Sequence, residues 1–416
     1  MTVADTHQTI DAIWRIEQAK IIAGLARIVR DVGLAEELAQ DALVAALKVW
    51  PEQGIPDNPG AWLMAAAKNR ALDARRRATL IARKHEELGR GMEEHETPDL
   101  DAALDDDIGD DLLRLIFTAC HPVLSAQARV ALTLRLIGGL TTEEIARAFL
   151  VAQPTIAQRI VRAKQALTEA RVPFEVPRGR DRAERLASVL EVIYLIFNEG
   201  YAATAGEDWT RPALCEEALR LGRILAELAA QDGEVHGLVA LMEIQASRLQ
   251  ARVGPDGEPI LLLDQNRARW DQLLIRRGLA ALARAQAQGP AGPYALQAAI
   301  AACHARARSA EATDWPRIVA LYQQLAAITP SPVIELNLAV AVAMADGPQA
   351  GLARVDALAT DPTLKSYHLL PSVRGDLLKK LGRLEEARAE FERAAALTQN
   401  AREKKLLLAR AAQALS

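Results

Sequence analysis

The chain has 416 residues, more than one ordinary hydrophobic core holds, so two to four domains are expected. Aromatic residues make up only 4% of it and alternating apolar runs typical of strands do not occur, which predicts an all-α fold. The net charge of −4 excludes a uniformly basic nucleic-acid-binding protein, and the lack of an export signal or of an apolar run of membrane-spanning length favours a cytoplasmic protein without membrane contact.

The first predicted domain, residues 7–80, contains two helices of opposite character. The stretch GLAEELAQDALVAALKVW is amphipathic and carries an acidic cluster of Glu36, Glu37 and Asp41. The stretch AWLMAAAKNRALDARRR places the indole of Trp62 before a run of basic side chains. This order suits stacking beside separated bases and holding phosphates. A solvated basic helix end, with Trp62 packed in the core, gives the same pattern and stays open.

Charge is segregated along the next part of the chain. Residues 68–84 hold seven basic residues and one acid, whereas residues 86–111 hold twelve acids and one base. Glycine, proline and like charges interrupt helical periodicity in the acidic part. Residues 81–110 are therefore predicted to be a flexible acidic linker.

The second predicted domain, residues 111–171, contains a candidate helix-turn-helix in LTTEEIARAFLVAQPTIAQRIVRAKQAL. Pro154 suits the first turn of its second helix. The outward side chains of that helix are of types that contact base edges and phosphates, namely Thr155, Gln158, Arg159, Arg162 and Lys164. Any helical hairpin with a solvated basic face would look similar. Leu150 stands where glycine is usual, and because a positive φ would cost leucine about 1–2 kcal/mol, a differently shaped turn is expected.

The rest of the chain is predicted to be helical in two parts. Residues 182–313 are interrupted at IFNEGYAATAG and at ARVGPDGEPILL, where the GPDG turn chemistry suits a hairpin. In residues 314–416, Ala339 and Val355 precede Gly375 and Phe391 by 36 residues each. Together with similar matches nearby, this spacing predicts roughly three degenerate tetratricopeptide-like repeats. The groove of such repeats would take a protein or peptide ligand.

Residues that carry enzyme chemistry do not cluster in the sequence. The three cysteines, Cys120, Cys215 and Cys303, lie far apart in apolar helical segments, which suits reduced, buried thiols. His121 and His304 directly follow two of them, but adjacent helical side chains diverge by about 100°. A phosphate-binding glycine-rich loop and a nucleophile elbow are also lacking. The sequence predicts no catalytic residue, metal site or cofactor.

Three stretches, in this order, resemble the extracytoplasmic-function class of bacterial RNA polymerase sigma factors. AEELAQDALVAALKVW is similar to the polymerase-binding helix of region 2, and PGAWLMAAAKNRALDARRR to the helix that melts and reads the −10 element. LTTEEIARAFLVAQPTIAQRIVRAKQAL is similar to the −35-reading motif of region 4. FTACHP and LIFNEGY resemble a subgroup of this class that has a long C-terminal extension ending in tetratricopeptide-like repeats.

The resemblance implies roles for individual residues. The β′ clamp helices of core RNA polymerase would be met by Glu36, Glu37, Leu38, Gln40 and Asp41. The opened −10 element of promoter DNA would be met by Trp62, Lys68, Asn69, Arg70, Asp73, Arg75, Arg76 and Arg77. The −35 element would be met by Thr155, Gln158, Arg159 and Arg162, with Lys164 on phosphate. Asp73 has an equal interpretation as the i, i+4 partner of Arg77.

The function that the resemblance implies is promoter-specific transcription initiation, controlled by the chain's own extension instead of a membrane-bound anti-sigma factor. Two small basic patches on an acidic chain predict weak, salt-sensitive DNA binding by the free protein. The alternative is a helix-turn-helix regulator that is not polymerase-bound and carries a tetratricopeptide-like interaction domain. A dimeric regulator would need one DNA reader and a symmetric operator, whereas this sequence has a second basic block.

Overall fold

The computed structural model describes residues 3–86 and 108–414, so most of the predicted acidic linker lies outside the described residues. The described residues fold into eighteen α-helices and one minimal two-stranded sheet, which confirms the all-α fold class. None of the described helices is long and apolar enough to cross a membrane. The chain divides into two compact units, Met1–Val192 and Ile193–Ser416.

The first helical group of the first unit consists of α1 (Val3–Val29), α2 (Val32–Gln53) and α3 (Pro59–Glu86). Asp31 caps α2, since its carboxylate accepts a hydrogen bond from Leu34 N at 2.8 Å. Asn58 starts α3 in the same way, accepting from Ala61 N at 3.0 Å. The helix α3 continues beyond residue 80, so the first residues of the predicted linker are helical, contrary to the prediction.

The second helical group consists of α4 (Ile108–Ala119), α5 (Ala126–Leu136), α6 (Thr142–Ala148) and α7 (Gln153–Glu169). The last residues of the predicted linker are therefore helical as well. Thr141 caps α6 and forms a reciprocal capping box with Glu144. Pro154 lies in the first turn of α7, as its sequence position predicts.

The turn between α6 and α7 contradicts the sequence-based expectation. Leu150 adopts a φ of 51°, the left-handed conformation that was expected to be avoided. Val151 N donates to Ala146 O at 3.0 Å and Leu150 N to Arg147 O at 3.4 Å, which is the Schellman pattern usually closed by glycine. Because the Leu150 side chain is 53% exposed, it meets no packing obstacle in this conformation. The turn therefore has the shape that is usual with glycine, and Leu150 takes the position of the glycine.

The helix α8 (Gly179–Tyr201) begins after the predicted proline-rich break, and its first half belongs to the first unit. There it packs on the second helical group through backbone carbonyls of the FTACHP stretch. Arg185 donates to Phe117 O at 2.9 Å, and the Ser188 hydroxyl donates to Cys120 O at 2.6 Å. FTACHP thus provides the docking point for the segment that leads into the extension.

The second unit continues with α9 (Pro212–Leu228), α10 (Gly233–Ala246), α11 (Gln272–Ala287) and α12 (Pro293–Arg306). A reversal joins Val253 to Pro259 across an antiparallel bridge, with Gly254 N donating to Glu258 O at 2.9 Å. This confirms the hairpin predicted from GPDG. The strands β1 (Ala205–Gly206) and β2 (Gln399–Asn400) pair in parallel, which the sequence did not predict.

Six helices follow in the part where repeats were predicted, namely α13 (Trp315–Ile328), α14 (Pro332–Asp346), α15 (Pro348–Leu358), α16 (Leu369–Lys380), α17 (Leu384–Leu397) and α18 (Ala401–Gln413). Small residues lie where consecutive helices cross. A Cβ on Gly375 would lie 3.0 Å from the Phe391 ring, and a Cβ on Gly351 would lie 2.4 Å from the Ala343 Cβ. Helix pairs of this kind support the repeat prediction, but tetratricopeptide character stays a prediction.

Candidate nucleic-acid interface

The helix α7 presents one polar, solvent-facing surface, opposite the apolar residues that hold it in the second helical group. Its buried residues recur at helical spacing, and they are Ile156, Ile160, Ala163 and Leu167. The opposite face brings together four of the predicted −35 residues, Thr155, Gln158, Arg159 and Arg162. They line a groove of about 380 Å³. These four residues form the reading face of α7.

The far wall of this groove is the start of α5, which the sequence interpretation missed. Val123, Ser125 and Ala128 line it opposite the reading face. The Ser125 hydroxyl accepts a hydrogen bond from Ala128 N at 3.3 Å and so caps α5. The N-terminus of a helix carries partial positive charge, so this wall adds a favourable surface for phosphate beside the two arginines. Serine is a preferred N-cap residue, so Ser125 was the sequence signal from which the start of α5 could have been recognised.

Lys164 is set apart from the reading face. Lys164 follows Thr155 by about two and a half helical turns, so its side chain points to the opposite side of α7, where it forms an ion pair with Glu36 of α2. Its side chain is only 22% exposed. The predicted phosphate-binding lysine thus faces the first helical group.

The five predicted polymerase-binding residues of α2 lie in two different environments. Glu37 and Asp41 are exposed, whereas Glu36 and Leu38 are buried. Besides Lys164, Glu36 accepts hydrogen bonds from Arg135 Nε at 2.7 Å and from Gln40 Nε2 at 2.8 Å. Only part of the predicted surface is therefore open in this conformation.

The predicted −10 residues lie on α3. Trp62 is half-buried and packs edge-on against the fully buried Trp50, with 5.3 Å between ring centroids. This favours the packing interpretation of Trp62. Asn69 is exposed, and Lys68 and Arg70 are half-buried. The remaining predicted side chains lie outside the described part of the chain, and they are Asp73, Arg75, Arg76 and Arg77.

Burial shifts the pKa values of two thiols and two imidazoles away from neutral pH. Burial raises the pKa of Cys120 to about 11 and that of Cys215 to about 12, so neither forms thiolate near neutral pH. Burial also lowers the pKa of His121 and of His304 to about 4 in each case, with nearby arginines adding to the effect. Within residues 3–86 and 108–414, no group of three or more His, Cys, Asp or Glu residues could hold a metal ion.

Comparison with known families matches successive parts of the chain. The family Sigma-70 region 2 matches residues 15–80, Sigma-70 region 4 matches residues 114–167, and a family of unknown function, DUF6596, matches residues 185–286. The first two matches cover the first and second helical groups. The third covers α8 to α11 apart from their outer ends.

The chain is also similar to two curated proteins. Uncharacterized protein R00370 of Rhizobium meliloti is 45% identical over 383 residues, which cover 92% of this chain and 90% of that protein. Probable ECF RNA polymerase sigma factor SigI of Mycobacterium tuberculosis is 26% identical over 176 residues, which cover 42% of this chain and 60% of that protein. No solved structure gives a significant match.

Proposed function

This chain belongs to the sigma-70 family of sigma factors, in the extracytoplasmic-function class and with a DUF6596 extension, and on that premise we propose how its residues select a promoter. Sigma-70 factors direct transcription initiation, and their regions 2 and 4 imply binding to core RNA polymerase and to promoter DNA.

The −35 element is proposed to meet the reading face of α7. Thr155 and Gln158 supply a hydroxyl and an amide for base edges, while Arg159 and Arg162 supply guanidinium groups for guanine or phosphate. This assignment rests on one observation: the four side chains share a single accessible face and line one groove. The exposed Val161 flanks that face and offers an apolar contact for a thymine methyl group.

The −10 element is proposed to meet the solvent side of α3. Asn69 is exposed there, and the basic run that follows in the sequence supplies charge for phosphates. Since Trp62 packs on Trp50, its proposed part is to support this surface from beneath. Core polymerase is proposed to meet α2, starting from the exposed carboxylates of Glu37 and Asp41.

The extension is proposed to control the activity of the chain. In support, α8 is one continuous helix that leaves the second helical group and enters the DUF6596 segment. The first half of α8, which belongs to the first unit, contacts Phe117 O and Cys120 O in the group that carries the reading face. A protein or peptide ligand of α13 to α18 remains a prediction from the repeat-like pattern.

The test is transcription in vitro with purified core polymerase and a library of bacterial promoter fragments. We expect the full-length chain to co-purify with core and to start transcription from a distinct set of promoters. Failure to bind core, together with binding to a symmetric site as a dimer, would favour the polymerase-independent regulator.

A further inference from the structure

Glu36 of α2 lies at the centre of the contact between the first and second helical groups. Its side chain is 5% exposed and pairs with two cations of the second group, Arg135 at 2.7 Å and Lys164. A buried carboxylate is tolerated when cations and hydrogen bonds compensate for the water it has lost. For Glu36, the compensating cations belong to the second helical group.

Further polar contacts surround this centre. Arg27 pairs with the buried Asp111 at 3.3 Å, and the Thr168 hydroxyl donates to Asp31 at 3.1 Å. On another side Arg15 pairs with Glu144 at 2.9 Å. These contacts join α1 and α2 to α4, α6 and α7. Several ion pairs and hydrogen bonds therefore hold the two groups together, beside the packing of α1 on α4.

The docking is incomplete, since a cleft of about 770 Å³ remains between the two groups beside these contacts. Its walls include Arg27 and Arg30 of one group and Arg114 and Arg171 on the other side. Ion pairs beside an open cleft are more typical of contacts that can separate than of a closely packed core. The geometry fits a reversible closed state.

We propose that the second helical group and core polymerase compete for Glu36, so that the free chain is closed and polymerase binding separates Glu36 from Lys164. This inference rests on the proposed function, because it takes α2 as the polymerase-binding helix. While Glu36 is covered, Glu37 and Asp41 are the exposed carboxylates of the predicted polymerase-binding residues. While Lys164 is paired with Glu36, its charge is compensated within the closed chain.

Thermodynamic linkage makes the competition reciprocal. If polymerase binds the open state better, then opening strengthens polymerase binding, and polymerase binding exposes Lys164 to the same extent. Glu36 exchanges its intramolecular cations for cations of the partner, so its charge stays compensated in both states. The reading face is exposed in the closed state as well as in the open state. Closure therefore restricts the position of the second helical group but does not cover its reading face.

A disulfide across the contact tests the closed state. A Cβ on Gly33 would lie 3.9 Å from the Lys164 Cβ, within the range of about 3.5–4.5 Å that a disulfide needs. We expect the full-length Gly33→Cys/Lys164→Cys variant to cross-link under mild oxidation, as shown by a non-reducing gel and by peptide mass spectrometry. Gly33→Cys/Arg162→Cys is the matched control, since Arg162 lies on the reading face.

The cross-linked chain then tests the competition. We expect its affinity for core polymerase to be about tenfold lower or more, and to return when the disulfide is reduced. Equal affinity of the oxidised and reduced forms would overturn the competition, and absence of the cross-link would overturn the closed state. A reduced variant and wild-type chain that both ignore core would instead show that the proposed function has failed.

A second variant avoids introduced thiols. We expect Glu36→Gln to increase hydrogen exchange of amides in α2 and α7 of the free chain, because it removes the charge that pairs with Arg135 and Lys164. Glu37→Gln, which alters the exposed neighbouring carboxylate, should leave hydrogen exchange of α7 unchanged. Identical exchange in wild type and Glu36→Gln would count against Glu36 as the centre of the contact.

Discussion

Leu150 adopts a backbone conformation that leucine normally avoids, at the turn between the two helices that form the helix-turn-helix. Its φ is 51°, and the turn is closed by the hydrogen bonds of Leu150 N and Val151 N to carbonyls of α6. The steric cost of this φ was foreseen from the sequence, but the shape of the turn was not. The backbone preference of leucine concerns Leu150 alone. The hydrogen bonds of the turn and the free space around the exposed Leu150 side chain arise only in the folded structure.

Leu150→Gly is expected to stabilise the second helical group by about 0.5–1 kcal/mol. The substitution relieves a strain of about 1–2 kcal/mol, while the greater freedom of glycine in the unfolded chain takes back about 0.4–1 kcal/mol. Little burial is lost, because the leucine side chain is half-exposed. Hydrogen exchange of the α6 and α7 amides measures the change. Leu150→Ala keeps a Cβ at positive φ and should give no such gain, and equal effects of the two variants would refute the strain argument.

At the scale of one helix, α7 was largely predictable. The spacing of Ile156, Ile160, Ala163 and Leu167 correctly gave its buried side, and Pro154 its start. The sequence could not show that Lys164 would face α2, because its partner Glu36 lies more than a hundred residues earlier in the chain. Local periodicity assigns a side chain to a face, but the element that covers that face is set by the tertiary fold.

Arg159→Ala is expected to lower initiation at promoters that depend on the −35 element and to leave core binding unchanged. Losing one good guanidinium contact to a base would reduce discrimination between promoters by about 1–3 kcal/mol. Gln165→Ala is the control on the same helix, since Gln165 is exposed, pairs with Glu169 and does not line the groove. Transcription in vitro on paired promoters with intact and altered −35 elements gives the measurement. Unchanged promoter preference would remove Arg159 from the proposed role.

The first half of α8 depends on a buried hydroxyl. Ser188 donates to Cys120 O at 2.6 Å and also accepts a hydrogen bond from Arg129. Ser188→Ala leaves these groups without that partner, so we expect α8 to be destabilised by about 1–3 kcal/mol. Faster hydrogen exchange in the first half of α8 would report this loss. Glu184→Gln changes an exposed residue of the same helix and should have little effect. Similar exchange in both variants would mean that the Ser188 contact is unimportant.

Across the whole molecule, the sequence predicted the fold class and the two helical groups but missed features made by distant residues. The parallel pairing of Ala205–Gly206 with Gln399–Asn400 joins the beginning and the end of the second unit. Asn400 is buried there and donates to Ala203 O at 3.1 Å and to Asp208 O at 2.8 Å. Two-residue strands leave no periodic signal, so no reading of local pattern would reveal this connection.

Two truncations separate the structural part of the extension from its proposed control. A chain of residues 1–177 lacks α8 entirely, whereas a chain of residues 1–192 keeps Arg185, Ser188 and Glu191 on the second helical group. We expect residues 1–192 to fold, to bind core polymerase and to give strongly altered transcription, because the rest of the extension is gone. Residues 1–177 should in addition unfold at lower temperature, since the buried face of α8 leaves an apolar surface in water.

Transcription in vitro with full-length and truncated chains, beside thermal unfolding of each, distinguishes these effects. If only residues 1–177 lose transcription activity, α8 is needed for folding and the rest of the extension does not control transcription. Normal output of residues 1–192 in every condition to which the full-length chain responds would likewise remove the control assigned to the extension. The full-length chain and residues 1–192 both keep the contacts of α8 with Phe117 and Cys120. If residues 1–192 give altered transcription but their helical groups unfold at an unchanged temperature, regulation therefore depends on residues beyond Val192.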